Sequence, residues 1–282
     1  MRSLTVFSHA RPAQTDDALR RVIERAREAG VEVRIPPDEV KKHGVEAQEG
    51  VVLDADPADD TDLALVLGGD GTILATLRRY ARRDVPVFAV NFGTIGFLAT
   101  VEPTELDEGL RLALGGEYDV MPIPGLVAST SDGDQVGMND ISFHRRRTGR
   151  VAELAYSVEG EELGEVRCDG LVVATPAGST GYNLANGGPV LAWGVEGYVV
   201  SFIAPHTLTA RALVVAPDDE LSVTNRSREE DVEMTTDGRS VCLLPREESI
   251  SVRFAPNCAL LAQLPGASFY HRLRDKFGRL AY

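Results

Sequence analysis

The chain has 282 residues, and 43% of them are hydrophobic, so it can bury one large core or two smaller ones. Its formal net charge of −14 and isoelectric point of about 4.8 argue against a nucleic-acid partner and against binding to an anionic membrane. The sequence has neither a run of about 18 apolar residues nor a signal-peptide core, so we expect a cytoplasmic protein.

Strand and helix patterns alternate over the first 115 residues. The predicted strands lie at 4–8, 31–35, 63–67 and 85–90, and the predicted helices lie at 16–29 and 105–114. Such alternation is typical of a parallel, doubly wound sheet, whose ligands bind at the carboxyl ends of the strands. We therefore predict an α/β nucleotide-binding domain over residues 1–116.

Short β patterns dominate after Tyr118, and turn signals such as Asp237-Gly238 separate several of them. The predicted strands lie at 125–129, 135–138, 141–143, 151–158, 171–174, 198–203, 213–215, 220–224, 241–244 and 249–254. This pattern predicts a mostly antiparallel, all-β C-terminal domain over residues 117–265. The remaining tail, 266–282, contains a possible short helix at 268–277, which could pack back on the first domain.

The segment 63–77, LALVLGGDGTILATL, joins a buried strand to a helix through a glycine-rich turn. Backbone N–H groups at such a turn can bind phosphate. The carboxylate of Asp70 in the middle of the turn instead suits a site where a hydroxyl loses its proton beside a phosphate, or where a metal is held. The structural alternative is a tight βα turn in which Asp70 only caps the following helix.

A second group of small and polar residues follows the predicted strand at 171–174. Residues 167–190 read RCDGLVVATPAGSTGYNLANGGPV, where glycines allow a ligand close to the backbone and hydroxyls supply hydrogen bonds. A long loop inside a compact domain is often functional. A plain surface loop between strands is the alternative.

These segments resemble the NAD kinases. The resemblance covers most of residues 60–265 and depends on GGDGT at 68–72, NFGTIGFLA at 91–99, the Asn139-Asp140 pair, and DGLVVATPAGSTGYNLANGGP at 169–189. It implies transfer of a phosphoryl group to the 2′-hydroxyl of the adenosine ribose of NAD, which gives NADP. The implied phosphoryl donor is ATP or polyphosphate, with a divalent metal such as Mg²⁺.

The resemblance also implies a role for individual residues. Asp70 is the general base, Gly71 offers a backbone contact, and Phe97 packs against the adenine. The remaining residues contact the dinucleotide, with Asn139 and Asp140 on the adenosine side and Asp169 at the nicotinamide end or a second dinucleotide-facing position. They are Asn139, Asp140, Arg150, Arg167, Asp169, Thr180, Gly181, Tyr182, Asn183, Leu184, Ala185 and Arg239.

Three positions depart from the family pattern. The family usually has glutamate where this chain has Asp140, and alanine where it has Gly181. Glutamine is frequent near Asp237-Gly238, where this chain has Arg239, which could meet a phosphate. The basic run 145–147 is either a solvated turn or a patch for ATP or polyphosphate.

The cysteines and histidines predict no metal site built from protein ligands. Cys168, Cys242 and Cys258 are far apart in sequence and form no C-x-x-C pair. The 5 histidines lack the spacing of paired ligands, which favours surface or structural roles.

Two alternative functions stay open: a non-catalytic sensor that binds the dinucleotide, and a lipid or sugar kinase that shares the G-G-D-G turn. The family resemblance also suggests a homodimer or homotetramer assembled through the β domain, which would cover exposed sheet edges.

We predict that the melting temperature rises steeply with KCl, as expected for a halophilic archaeon with a salt-rich cytoplasm. A net charge of −14 makes the folded chain repel itself, and salt screens that repulsion. Thermal unfolding over a KCl series tests this. A flat response would favour an ordinary acidic bacterial protein.

Overall fold

The computed structural model describes residues 1–57, 61–93, 96–146, 150–228, 230–266 and 268–278. Thr94 and Ile95 of the segment 91–99, and Arg147 of the basic run, lie outside these residues. The chain forms two compact units. Unit 1 comprises Met1–Pro122 and Ala259–Tyr282, and unit 2 comprises Ile123–Cys258.

The secondary structure of the described residues is as follows. The helices are α1 Asp16–Glu28, α2 Pro37–His43, α3 Asp70–Arg79, α4 Leu106–Gly115, α5 Tyr182–Ala185 and α6 Phe269–Phe277. The strands are β1 Ser3–Ser8, β2 Glu32–Ile35, β3 Val51–Leu53, β4 Leu63–Gly68, β5 Pro86–Asn91, β6 Asp119–Thr130, β7 Gly133–Gly137, β8 Asp140–Arg145, β9 Ala152–Val158, β10 Glu161–Cys168, β11 Gly170–Ala174, β12 Tyr198–Ile203, β13 Leu213–Val215, β14 Leu221–Asn225, β15 Val232–Thr236, β16 Arg239–Leu244 and β17 Ser249–Gln263.

Unit 1 contains a parallel sheet in the order β5-β4-β1-β2-β3, with the last residues of β17 beside β5. The chain adds strands in one direction from β1 to β3 and then in the other direction from β4 to β5. The strand order therefore reverses between β1 and β4, which is where doubly wound sheets bind ligands. The predicted α/β fold of the N-terminal part is confirmed.

The helix α2 and the strand β3 were not predicted. The helix begins with a proline at its first position and is capped at its C-terminus by Gly44, whose φ is 60°. It has acidic residues in the first turn and basic residues in the last. It carries little apolar surface, so hydrophobic periodicity could not reveal it. The strand has only three residues.

A buried polar network joins α2 to the carboxyl end of β1. The Ser8 Oγ lies 2.7 Å from the His43 Nε2, and the Lys42 Nζ donates to the Ser8 carbonyl at 3.1 Å. The Lys42 Nζ also donates to the Glu39 carboxylate at 2.7 Å, and Glu39 is buried. Because each of these polar groups has a partner, the network can be buried without leaving an uncompensated charge.

Unit 2 consists of two antiparallel sheets around one core. One sheet has the order β10-β9-β14-β17, and the other has the order β13-β12-β11-β8-β15-β16. Side chains from both sheets, including Leu154, Val223, Phe143 and Leu171, are fully buried in the same cluster. The predicted antiparallel β fold of the C-terminal part is confirmed.

Sequence patterns missed two strands of unit 2. The strand β10, EELGEVRC, carries four charged residues, and β15, VEMTT, has only two apolar ones. Their hydrogen bonds with neighbouring strands override the weak local preference. The helix α6 at Phe269–Phe277 matches the helix expected at 268–277.

None of the helices among the described residues is both long and apolar enough to cross a membrane.

We predict that Gly93→Ala destabilises the fold by about 1–3 kcal/mol, the usual cost of overpacking. A Cβ at Gly93 would lie 2.7 Å from the Gly69 Cα, and backbone atoms cannot easily move away. Chemical denaturation measures the change. Gly71→Ala is the matched control, because a Cβ there meets nothing within 4 Å and alanine favours a helix over glycine by roughly 0.5–1 kcal/mol. Equal stabilities of the two variants would contradict the close glycine contact.

Candidate functional site

Two glycine turns meet at the carboxyl edge of the unit 1 sheet. The strands β4 and β5 are parallel neighbours, and Gly68 pairs with Asn91. The turns that follow them pack Gly69 directly against Gly93, because a Cβ at either position would lie within 3.0 Å of the other Cα. Glycine is needed here for close backbone approach, and this contact places the first turn of α3 beside the segment after β5.

Asp70 is the first residue of α3, and its carboxylate is held by the backbone. The Phe97 N–H donates to its Oδ2 at 2.9 Å, and the Leu98 N–H donates to its Oδ1 at 3.1 Å. Each carboxylate oxygen keeps a further lone pair, so the side chain can still accept a proton or a hydroxyl hydrogen bond. The side chain is half-buried.

Gly71 and Phe97 have contrasting surroundings. Gly71 is exposed, with open space where a side chain would stand. The Phe97 ring is buried, and its centroid lies 5.9 Å from that of Phe269 and 6.0 Å from that of Phe277, both in α6. The contact between Phe97 and an adenine stays a prediction.

A row of polar side chains occupies one face of β8 in unit 2. Because side chains alternate along a strand, Asp140, Ser142 and His144 share one face, while Ile141 and Phe143 enter the core. The Ser142 Oγ lies 2.8 Å from the His144 Nε2. The alternation is visible in the sequence DISFHR, and it would have revealed Ser142 and His144 as site candidates.

Asp237 holds the start of this row in place. It lies in the turn between β15 and β16, and its carboxylate accepts the N–H groups of Met138, Asn139 and Asp140 at 3.1, 2.7 and 3.2 Å. Asp140 is buried, and this burial, together with the nearby Asp237 carboxylate, raises its pKa to about 7. The Asp237 carboxylate is thus stabilised by three backbone N–H groups, whereas Asp140 is buried beside a negative charge.

The segment after β11 is compact. It contains a short 3₁₀ helix at Gly178–Thr180 and the helix α5, so the loop expected here includes two short helical turns. A Cβ at Gly178 would lie 1.9 Å from the Asn139 carbonyl oxygen, so only glycine permits this contact. Asn183 is fully buried, and its Nδ2 donates to the Ser179 and Pro189 carbonyls at 2.9 Å. Asn183 therefore fixes the shape of the segment.

Tyr182 is the exposed ring of this segment. Its side chain stacks on His144, with ring centroids 5.8 Å apart and an angle of 23° between the planes. Its pKa is raised mainly by partial burial, with smaller contributions from the charges of Asp140 and Asp169. Tyr182 thus lies within electrostatic reach of both Asp140 and Asp169.

Another group of predicted residues lies at the opposite end of β8 and β11. Asp169 is paired with Arg145, whose Nε lies 2.7 Å from the Asp169 Oδ1 and whose Nη2 lies 3.0 Å from the Oδ2. Arg150 and Arg167 are exposed and line a cavity of about 480 Å³ together with Glu153. Arg145, the first residue of the basic run 145–147, therefore holds Asp169.

The other predicted residues belong to the end of β8 that carries Asn139 and Asp140. Ala174 pairs with Asp140, and Thr236 pairs with both Ile141 and Arg239, so the segments after β11 and β15 leave the same edge of the sheet. The residues carried by these segments are Thr180, Gly181, Leu184, Ala185 and Arg239, of which Gly181, Ala185 and Arg239 are exposed.

Comparisons with known proteins agree for both parts of the chain. The family model of the ATP-NAD kinase N-terminal domain matches residues 14–118, and that of the ATP-NAD kinase C-terminal domain matches residues 138–264. An NAD kinase of Carboxydothermus hydrogenoformans is 34% identical over 266 residues, which is 92% of this chain and 93% of that protein. The chain belongs to the NAD kinase family.

Further relatives of this NAD kinase family member agree. An NAD kinase of Gemmatimonas aurantiaca is 35% identical over 238 residues, or 82% of each chain. The crystal structure of an NAD kinase from Archaeoglobus fulgidus in complex with ATP has a TM-score of 0.75 and 26% identity, with 99% of this chain and 98% of that chain covered. Yeast NADH kinase, solved with NADH, shares the fold with a TM-score of 0.89 at 21% identity, over 100% of this chain and 89% of that one.

Membership of the NAD kinase family confirms the resemblance seen in the sequence and confirms that the chain is a kinase. A lipid or sugar kinase that shares only the G-G-D-G turn is therefore not the family of this chain. The role of each individual site residue stays a prediction.

We predict that Asp140 makes the folded protein less stable as the pH rises. Its pKa is raised from 3.8 to about 7, so the folded state keeps a proton that the unfolded chain releases. This stabilising contribution is complete below pH 3.8 and is lost as the pH rises through about 7. Urea unfolding at several pH values should show a steeper fall for the wild type than for Asp140→Asn.

Asp132→Asn changes an exposed aspartate in the same way and is the control, which should follow the wild type. If Asp140→Asn also has the wild-type pH dependence, Asp140 does not hold its proton near neutrality.

Proposed function

We propose that this chain transfers the terminal phosphoryl group of ATP or polyphosphate to the 2′-hydroxyl of the adenosine ribose of NAD, which yields NADP. The proposal rests mainly on the Asp70 carboxylate at the first turn of α3. The backbone N–H of Phe97 and the backbone N–H of Leu98 both donate to this carboxylate and fix its position. A fixed carboxylate with free lone pairs, next to a glycine turn with open space, suits a general base that works beside a phosphate.

In this reaction the ribose oxygen attacks the terminal phosphorus, and a new O–P bond forms. The bond from that phosphorus to the bridging oxygen breaks, and ADP or a shortened polyphosphate leaves with the electron pair. Asp70 accepts the hydroxyl proton. A ribose hydroxyl is a weak acid, so orientation and charge stabilisation should supply most of the rate, with Asp70 contributing as the proton acceptor.

Residues of unit 2 bind the dinucleotide in this proposal. Asn139 and Asp140 hold the adenosine side, and Asp169 holds the nicotinamide end or a second dinucleotide-facing position. Tyr182 offers one ring face to the ligand, because the other face stacks on His144. Arg239 is exposed at the start of β16, where it could meet a phosphate.

Thr180, Gly181, Leu184 and Ala185 also contact the dinucleotide in this proposal, and Asn183 acts by shaping the segment that carries them. Arg150 and Arg167 are proposed to make further contacts from the cavity at the other end of the sheet.

The divalent cation, most simply Mg²⁺, is proposed to enter as part of the donor. The described residues contain no group of three or more His, Cys, Asp or Glu side chains that could hold a metal ion. The described residues therefore do not fit a resident cation, whereas a triphosphate brings its own oxygen ligands for the metal. The cation would neutralise charge on the transferring phosphoryl group.

We further propose that copies of the chain associate through unit 2, as a homodimer or homotetramer. Apolar side chains are exposed there, with Leu208 at 92%, Val214 at 49% and Leu163 at 46% of their full accessible surface. Apolar side chains that are exposed on one unit are candidates for an interface when they lie together. The cytoplasm remains the proposed location. A halophilic archaeon as the host is a separate proposal that the comparisons do not support, and the KCl series tests the underlying salt dependence.

We predict that Asp70→Asn lowers kcat for NADP formation by about 10²–10⁴-fold, the usual contribution of a general base. The KM for NAD should stay near the wild-type value, because the dinucleotide is assigned to other residues. Initial rates with Mg²⁺ and either ATP or polyphosphate give both constants and identify the donor. Asp38→Asn makes the same change in the first turn of α2, and it should leave both constants unchanged.

A non-catalytic sensor makes a different prediction. It would bind NAD with the same affinity in the wild type and in Asp70→Asn, and neither protein would form NADP with either donor. That result, obtained with folded protein, would contradict the proposed function.

A further inference from the structure

The C-terminal helix α6 reaches the loop that holds Asp70. Arg272 lies in the middle of α6, and only 9% of its surface is exposed. Its Nη1 donates to the Phe97 carbonyl oxygen at 2.7 Å, and its Nη2 donates to the Gln263 Oε1. Phe97 is also the residue whose N–H donates to Asp70. The arginine and the aspartate therefore bind opposite sides of the same residue.

Gln263 repeats this arrangement one residue further along. This side chain is buried at the end of β17, and its Nε2 donates to the Leu98 carbonyl oxygen at 3.1 Å. The Leu98 N–H in turn donates to the Asp70 Oδ1. Both residues that donate to the Asp70 carboxylate are thus held at their carbonyl oxygens by Arg272 and Gln263, which also bind each other.

Charge acts in the same direction as these hydrogen bonds. Burial lowers the pKa of Arg272 to about 10, while the negative charge of Asp70 opposes that change, so the guanidinium stays ionised at neutral pH. A buried cation is costly unless it is paired, and here two oxygen acceptors and the Asp70 carboxylate compensate it. The planar guanidinium can bind both acceptors at once, which an ammonium group cannot do with the same geometry.

We propose that Arg272, together with Gln263, is a positioning residue that sets the orientation of the Asp70 carboxylate through the backbone of Phe97 and Leu98. This inference rests on the proposed function of Asp70. Arg272 does not touch the substrate in this proposal. It acts on turnover by fixing the loop from which the base receives its hydrogen bonds.

The first test is steady-state NADP formation by Arg272→Ala, with the Mg²⁺ complex of whichever donor the wild type uses. We expect kcat to fall about 10²-fold, the loss that follows from a displacement of roughly 1 Å in a reacting group. The KM for NAD should not change. Added guanidinium ion should restore part of kcat by filling the space left by the side chain. Asp70→Asn should show no such recovery.

Arg274→Ala is the matched control. It removes the same type of side chain from the same helix. Arg274 is exposed, and it contacts His271 and Asp275 of the helix itself, not the loop that carries Phe97 and Leu98. Its kcat should equal that of the wild type, with no response to guanidinium. Arg272→Lys keeps the charge but cannot bind both oxygen acceptors with the geometry of a guanidinium. Its kcat should therefore lie between those of the wild type and Arg272→Ala.

Gln263→Glu keeps the proposal testable if Arg272→Ala does not fold. Glutamate still accepts from Arg272, but it cannot donate to the Leu98 carbonyl. We expect kcat to fall roughly tenfold, as for the loss of one hydrogen bond that matters to the transition state, with the KM for NAD unchanged.

The outcomes separate this inference from the proposed function. The inference is wrong if Asp70→Asn is inactive while folded Arg272→Ala and Gln263→Glu turn over at the wild-type rate. It is also wrong if their rates fall only in proportion to the folded fraction and guanidinium has no effect. If instead Asp70→Asn retains the wild-type kcat, the proposed role of Asp70 fails, and the positioning role fails with it.

Discussion

The contact between Gly69 and Gly93 is the constraint on which the unit 1 site depends. Two neighbouring parallel strands end at the same edge of the sheet, and their turns can touch because neither glycine has a side chain. This contact lets the loop after β5 supply two N–H donors to Asp70. A bulkier residue at either turn would separate the helix terminus from that loop. The glycines therefore matter for distance more than for unusual backbone angles.

The polar row of unit 2 depends on a different feature, the alternation of side chains along a strand. Asp140, Ser142 and His144 face one way because they are two residues apart, and β8 has its apolar residues on the core face. Asp237 and Gly178 then fix the chain around Asn139 from two sides. The polar row is thus a consequence of strand geometry, and the turns around it set its position.

The sequence was sufficient to predict the fold class and those candidate site residues that lie in short, continuous sequence patterns. The buried strand before Gly68, the helix α1 and the polar cluster after β11 all carry strong local signals. Arg272 could not be found in this way, because Phe97, the site residue that it contacts, is 175 residues away in sequence. The strand β10 forms through its backbone pairing with β9, and Asp169 is held by Arg145, which is 24 residues away in sequence. Local composition does not contain that information.

Asp140 gives the protein an exchangeable proton close to neutral pH, since its pKa is raised to about 7. A ligand group that donates a hydrogen bond to the ionised carboxylate requires this proton to leave for the solvent. A ligand group that accepts a hydrogen bond from the neutral acid requires the proton to stay. The heat of binding then includes the ionisation heat of the buffer. The binding enthalpies measured in two buffers would therefore differ by the number of protons that Asp140 exchanges multiplied by the difference between the two ionisation enthalpies.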